Sequence, residues 1–138
     1  MASYNKFQGF VGYLGLAAVN LNTDTLKVYL TNAAPSAADD DVKTDLAEIT
    51  AQNGYPAGGS DVQNTYSEAS GTGTLGATDV VWTASGGSFG PFRYVVLYDD
   101  THANDILIAW WDYGSSITVN AGETFTVDFA AGGIATIA

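Results

Sequence analysis

Apolar positions along this chain alternate with polar ones over short stretches, and in two stretches both alternating sets are apolar. Side chains on a strand point to opposite faces in turn. In Thr25-Leu26-Lys27-Val28-Tyr29-Leu30-Thr31, Leu26, Val28 and Leu30 share one face, and Lys27 and Tyr29 share the other. Further on, Phe125, Val127 and Phe129 alternate with Thr124, Thr126 and Asp128, which predicts a strand with one wet face. The stretches 93–98 and 106–111 differ. Tyr94, Val96 and Tyr98 oppose Val95 and Leu97, while Ile106, Ile108 and Trp110 oppose Leu107, Ala109 and Trp111. An antiparallel strand at a surface keeps one polar face. These two strands are therefore expected to be covered on both sides, by another layer of the chain or by another subunit. The polar loop 99–105 joins them as a long hairpin.

Shorter signals surround this pair. Residues 61–69 read as a polar edge strand, 72–83 as a strand with Val80, Val81 and Trp82 at its apolar end, Ile117 and Val119 as a short strand, and 133–137 as a closing one. Gly-, Asn- and Ser-rich turns fall at 52–60, 85–88 and 120–123. Two helices are expected. Phe7, Phe10, Val11, Leu14 and Ala18 recur at helical spacing, with Gly9, Gly12 and Gly15 off that stripe. Each glycine costs about 1 kcal/mol relative to alanine in a helix interior. The segment is thus expected to be ordered by packing, as a helix covering the sheet or as an arm on a neighbouring subunit. Phe7, Phe10, Val11 and Leu14 are expected to be buried, partly against that subunit. Asp39-Asp40-Asp41 precede Val42, Leu46 and Ile49 and read as the acidic first turn of a short helix near 40–50. The pattern predicts a mainly β, compact sandwich or barrel-like domain. It forms one domain over 1–138, with a helix or arm at 1–20 and a β-rich part at 21–138.

Charge narrows the choice of function. Of the 138 residues only 14% are charged, 15 acidic against 4 basic, for a net −11. Nucleic-acid binding needs lysines and arginines to displace counterions, so it is excluded. The same sign disfavours anionic membranes. Segment 11–19 has the apolarity of a weak signal-peptide core, but Lys6 is its only basic flank and no clear cleavage site follows. It is too short to span a bilayer, which takes about 20 apolar residues. With no cysteine there is neither a disulfide nor a thiolate metal site.

Candidate chemistry is sparse. His102 is the single histidine, in a polar loop with Asp99, Asp100 and Asp105. A solvated loop residue is a better reading than a triad member or metal ligand. Three adjacent aspartates at 39–41 diverge and lack the spacing of a calcium loop. Asp112 follows Trp110-Trp111, yet its place at a strand end suits a hydrogen-bonded turn better than a glycosidase carboxyl. Trp110 and Trp111, being adjacent on a strand, face opposite ways and cannot form one sugar platform with Tyr113. Arg93 is expected to pair with an aspartate across a strand or subunit interface. No glycine-rich stretch has the spacing and lysine of a phosphate loop. No catalytic, cofactor or metal residue is assigned, and the chain is read as a non-enzyme.

Several motifs resemble those of small virion proteins of tailed phages. They are Met1-Ala2-Ser3-Tyr4-Asn5-Lys6-Phe7, Thr25–Asn32 and Glu48-Ile49 before Asn53-Gly54-Tyr55, then Gly87–Tyr94, Trp110-Trp111-Asp112-Tyr113-Gly114-Ser115-Ser116 and Gly122–Val127. The likeness spans nearly the whole chain; the glycines at 9, 12 and 15 depart from the more charged helix expected there. The resemblance implies a capsid decoration (cement) protein. Such a protein would be a homotrimer bound to the phage major capsid protein on the capsid exterior, made in the bacterial host cytoplasm. A tail or receptor-binding component is the alternative. A cement protein buries apolar area across several partners. The expected interface is Phe7, Phe10, Val11 and Leu14 of the arm with Arg93, Tyr94, Trp110 and Trp111 of the two-faced strands.

Overall fold

Local alternation translates into a mainly β, sandwich-like domain in a computed structural model that describes residues 2–138. In chain order the elements are β1 (Tyr4–Lys6), α1 (Gln8–Gly15), β2 (Leu26–Thr31), a 3-10 turn (Lys43–Asp45), β3 (Ser60–Asp61), β4 (Thr65–Ala69), β5 (Thr72–Gly76), β6 (Val80–Thr83), β7 (Phe89–Asp99), β8 (Ile106–Val119), β9 (Thr124–Val127) and β10 (Ala135–Ile137). One layer is a five-stranded antiparallel sheet in the order β1-β8-β7-β2-β3. Opposite it lie a three-stranded sheet, β10-β5-β4, and the pair β6-β9. Leu26, Val28, Leu30, Val95 and Leu97 of the large sheet meet Leu75, Trp82 and Val127 of the small ones in the main core.

The second face of the large sheet is covered by the same chain. Tyr29, Val96, Tyr98 and Leu107 are buried there beneath Phe7 and Leu46. Loop 32–59 supplies this cover and is fastened by a polar network. The Tyr29 hydroxyl donates to Leu46 O at 3.1 Å, and the Tyr98 hydroxyl donates to Gly58 O at 2.7 Å. Glu48 accepts from the Tyr55 hydroxyl and the Gly58 N–H, each at 2.7 Å, and pairs with Lys43 at 2.9 Å. The Lys43 ammonium also lies 4.7 Å from the centre of the Tyr29 ring.

The expected faces of β8 need one correction. Leu97 pairs with Ala109, but the next residue, Tyr98, pairs with Leu107. Ile108 is the extra residue of a β-bulge, which shifts the alternation by one. Trp110 therefore joins the Leu107 side, and Trp111 joins the side of Ile106 and Ile108. The short strand expected at Ile117 and Val119 is the far end of β8, held because Phe92 pairs with Ile117 and Phe89 with Val119.

Other boundaries shift for similar reasons. Stretch 61–69 divides into β3, in the large sheet, and β4, in a small one. Between them Gln63 has φ +51° and the Asn64 amide donates to Leu21 O and Asp24 O. Stretch 72–83 likewise divides into β5 and β6 of different sheets. The helix near 40–50 is reduced to the Lys43–Asp45 turn. Bridges from Val42 to Ile106 and from Glu48 to Thr31 hold the segment extended on either side. The acidic run caps loop backbone instead: Asp40 accepts from Ser36 N–H at 2.7 Å.

The N-terminal stripe also behaves differently from its helical reading. Phe7 precedes α1 in an extended conformation and is buried on one face of the large sheet. Phe10 is buried on the other. The chain thus wraps the β1 edge rather than presenting one stripe. Val11 is 53% exposed, against the expected burial, and Leu14 is half-buried. Gly9 has a steric role, since a Cβ there would overlap the Asp41 carboxylate.

Candidate interaction site

The site arises where the outermost strands of two sheets come together. Among the described residues β1 pairs only with β8, and β10 only with β5, so each is the outermost strand of its sheet. Helix α1 lies beside them, and a cleft of about 340 Å³ opens among the three elements. Its walls include Tyr4 and Lys6 of β1, Val11 and Leu14 of α1, and Ile137 of β10. Leu14, Leu21 and Ile137 continue into an adjoining hollow of about 420 Å³ that reaches Tyr66. Tyr4, Val11 and Ile137, three of the five large apolar side chains exposed among the described residues, line the first cleft.

Among the described residues Lys6 is the only charged side chain in the lining, which also takes in Ala138. Lys27 pairs with Asp100 and Lys43 with Glu48, each at 2.9 Å, and Arg93 with Asp112 at 2.8 Å. Among the described residues Lys6 is the one cation of the four without an acidic partner. Burial pushes the Tyr4 hydroxyl pKa up, which keeps it neutral.

The eight residues expected at an interface do not converge. Phe10, Val11 and Leu14 line the cleft. Trp111 is buried beside it, edge-on to Tyr4 at 5.9 Å and to Phe129 at 5.6 Å. Phe7 and Trp110 pack together at 4.6 Å on the opposite face of the sheet. Arg93 forms a two-pronged pair with Asp112 across β7 and β8, at 2.8 and 3.1 Å, and lies over the ring of buried Tyr94. Tyr4, Lys6, Leu21 and Ile137 were missed. β1 and β10 have three residues each, too few for periodicity to register, although Lys6 is the only cation before Lys27.

Several titratable groups outside the cleft have structural partners. The Arg93 guanidinium and the Gly114 N–H hold the Asp112 carboxyl below its ordinary pKa. His102 Nδ1 accepts from Asn104 N–H at 3.1 Å. Asp99 is fully buried and accepts from the N–H groups of Thr101 and His102. Its Oδ2 has no donor among the described residues and meets the Asp24 carboxyl; burial and that neighbour raise its pKa to about 6. No three His, Asp or Glu side chains converge on a metal position among the described residues, and no described helix is long and apolar enough to cross a membrane. Compared with known protein families, curated proteins and solved structures, the chain matches none.

Proposed function

We propose that this protein is a structural component of a tailed-phage virion, a decoration protein that docks on the exterior of the capsid as a homotrimer. The observation that carries a docking role is the cleft at β1, α1 and β10. It is mainly apolar and lined by residues of the two outermost strands, β1 and β10, with Lys6 its one charged side chain among the described residues, on a chain of net −11. Depletion of charge at an apolar patch is what distinguishes the centre of an interface from ordinary surface. The sequence resemblance supplies the virion context. Its motifs fall on framework residues: Glu48 and Tyr55 fasten the loop, and Arg93 and Asp112 staple the central hairpin.

Antibody labelling of intact particles tests the location, with label expected on the head. Label confined to the tail would replace this reading with the tail or receptor-binding one, and unlabelled particles would remove both. Light scattering tests the trimer, with a mass three times the 14.4 kDa of the chain expected. The two-faced strands no longer argue for a subunit contact, because the chain's own loop covers the second face.

A further inference from the structure

We infer that the carboxylates of Asp24 and Asp99 bind a calcium ion where the loop before β2 meets the end of β7. This site is separate from the cleft and does not depend on a place in a virion. Asp99 is fully buried as the last residue of β7. Its Oδ1 accepts from the N–H groups of Thr101 at 2.9 Å and His102 at 3.3 Å. Its Oδ2 has no donor among the described residues, and the Asp24 carboxyl lies within hydrogen-bonding reach of this side chain. A buried oxygen without a donor is costly, and here the nearest group is an acceptor of the same charge. A positive charge held between the two carboxyls removes both penalties.

The described side chains do not supply that charge. Lys27 is held by Asp100, Lys43 by Glu48 and Arg93 by Asp112, while Lys6 lies in the cleft. The remaining titratable groups of the Asp99 loop do not serve either. His102 Nδ1 accepts from Asn104 N–H, and Asp100 and Asp105 are acids. A shared proton satisfies the pair in acid; at neutral pH that proton is lost and a metal cation takes its place. Both carboxylates are aimed beforehand. Asp24 Oδ2 accepts from Asn20 N–H at 2.7 Å, and the Asn64 amide holds the same loop through Leu21 O and Asp24 O. Thr101 Oγ1 accepts from Thr25 N–H at 2.8 Å, so the two loops are already joined beside the pair. Donors that are all oxygen select a hard cation over zinc. A divalent ion balances the two charges. Calcium tolerates an irregular shell completed by water, whereas magnesium demands a near-octahedral one. Asp24 is half-buried, which gives that water access.

Thermal unfolding of the full chain at neutral pH, in calcium chloride or in EDTA, is the test. Two carboxylates place the site at the weak end of calcium affinities, with a Kd of about 10⁻⁴–10⁻³ M. Calcium at ~5 mM should therefore raise the midpoint by about 3–8 °C over the protein in EDTA. The amide resonances of residues 20–25 and 99–102 should move over the same titration. Asp99→Asn and Asp24→Asn should each lose the calcium response, and Asp128→Asn, at an exposed acid elsewhere in the chain, should keep it. Magnesium chloride at the same concentration, which matches the ionic strength, should give less than half the shift. Thermal midpoints in EDTA show whether each variant is folded, and if one is not, the resonance map of the unaltered chain decides. An absent calcium response would overturn the proposal and leave a shared proton as the pair's only partner. An equal response to magnesium, a response kept by folded Asp99→Asn, or resonance shifts confined to other residues would overturn it as well.

Discussion

A buried carboxylate and a half-buried one carry opposite consequences for stability. Asp99 has a folded-state pKa raised to about 6, above its ordinary 3.8, by burial and by Asp24. The native state therefore holds a proton that the unfolded chain has released between about pH 4 and 6. Stability should fall as pH rises through that window and level off above it, by an amount on the order of 3 kcal/mol at about 1.4 kcal/mol per pH unit. Asp99→Asn keeps an acceptor for the Thr101 N–H and offers Asp24 a donor. Urea unfolding from pH 4 to 7.5 should show the variant more stable at pH 7 by about 1–3 kcal/mol, with this slope removed. Parallel curves for the two proteins would refute the assignment. Glu48 fastens the loop, since it accepts from Tyr55 and Gly58 and pairs with Lys43. Glu48→Ala leaves three donors unmatched beneath the loop and should cost about 2–4 kcal/mol at neutral pH, read from the same denaturation curves.

At the scale of elements, the N-terminal segment is a clasp on the sheet edge. β1 hydrogen-bonds to β8, Phe7 fills the space beside Trp110, and Phe10 enters the main core on the other side. Phe7→Ala should therefore destabilise the isolated domain by about 3–5 kcal/mol, as a large-to-small change in a packed core does. Val11→Asp, one residue past Phe10 but solvent-exposed, should leave stability within about 0.5 kcal/mol. Chemical denaturation of the two variants separates a clasp from a free arm, and a stable Phe7→Ala domain would restore the arm. The bulge at Ile108 matters on the same scale. One extra residue sends Trp110 to Phe7 and Trp111 to Tyr4 and Phe129, so both tryptophans serve packing.

For the whole molecule, net charge decides how association responds to salt. Copies of a chain at −11 repel one another. The screening length shrinks from about 10 Å at 0.1 M to about 3 Å at 1 M ionic strength. A homotrimer held by apolar contacts should thus gain population as salt rises, which light scattering at the two ionic strengths measures. Dissociation by salt would mean that ion pairs hold the assembly.

The strands β2, β7, β8 and β9, the hairpin of 93–111 and the mainly β class were legible in the sequence, because alternation is a local signal that burial imposes on each strand. So was the need for cover on both faces of the central strands, and a carboxylate partner for Arg93. The tertiary structure decided what provides that cover. Leu46 and its loop are brought over the sheet by Glu48 and three tyrosines, contacts that no short window contains. It also decided where 61–69 and 72–83 break, because exchanging one sheet for another leaves little trace in local hydrophobicity. The bulge reversed Trp110 and Trp111, since a single inserted residue inverts a period of two. The cleft itself joins residues 4–6 to 135–137, opposite ends of the chain. Only the folded arrangement of the two layers brings the outermost strands of two sheets, β1 and β10, to one hollow.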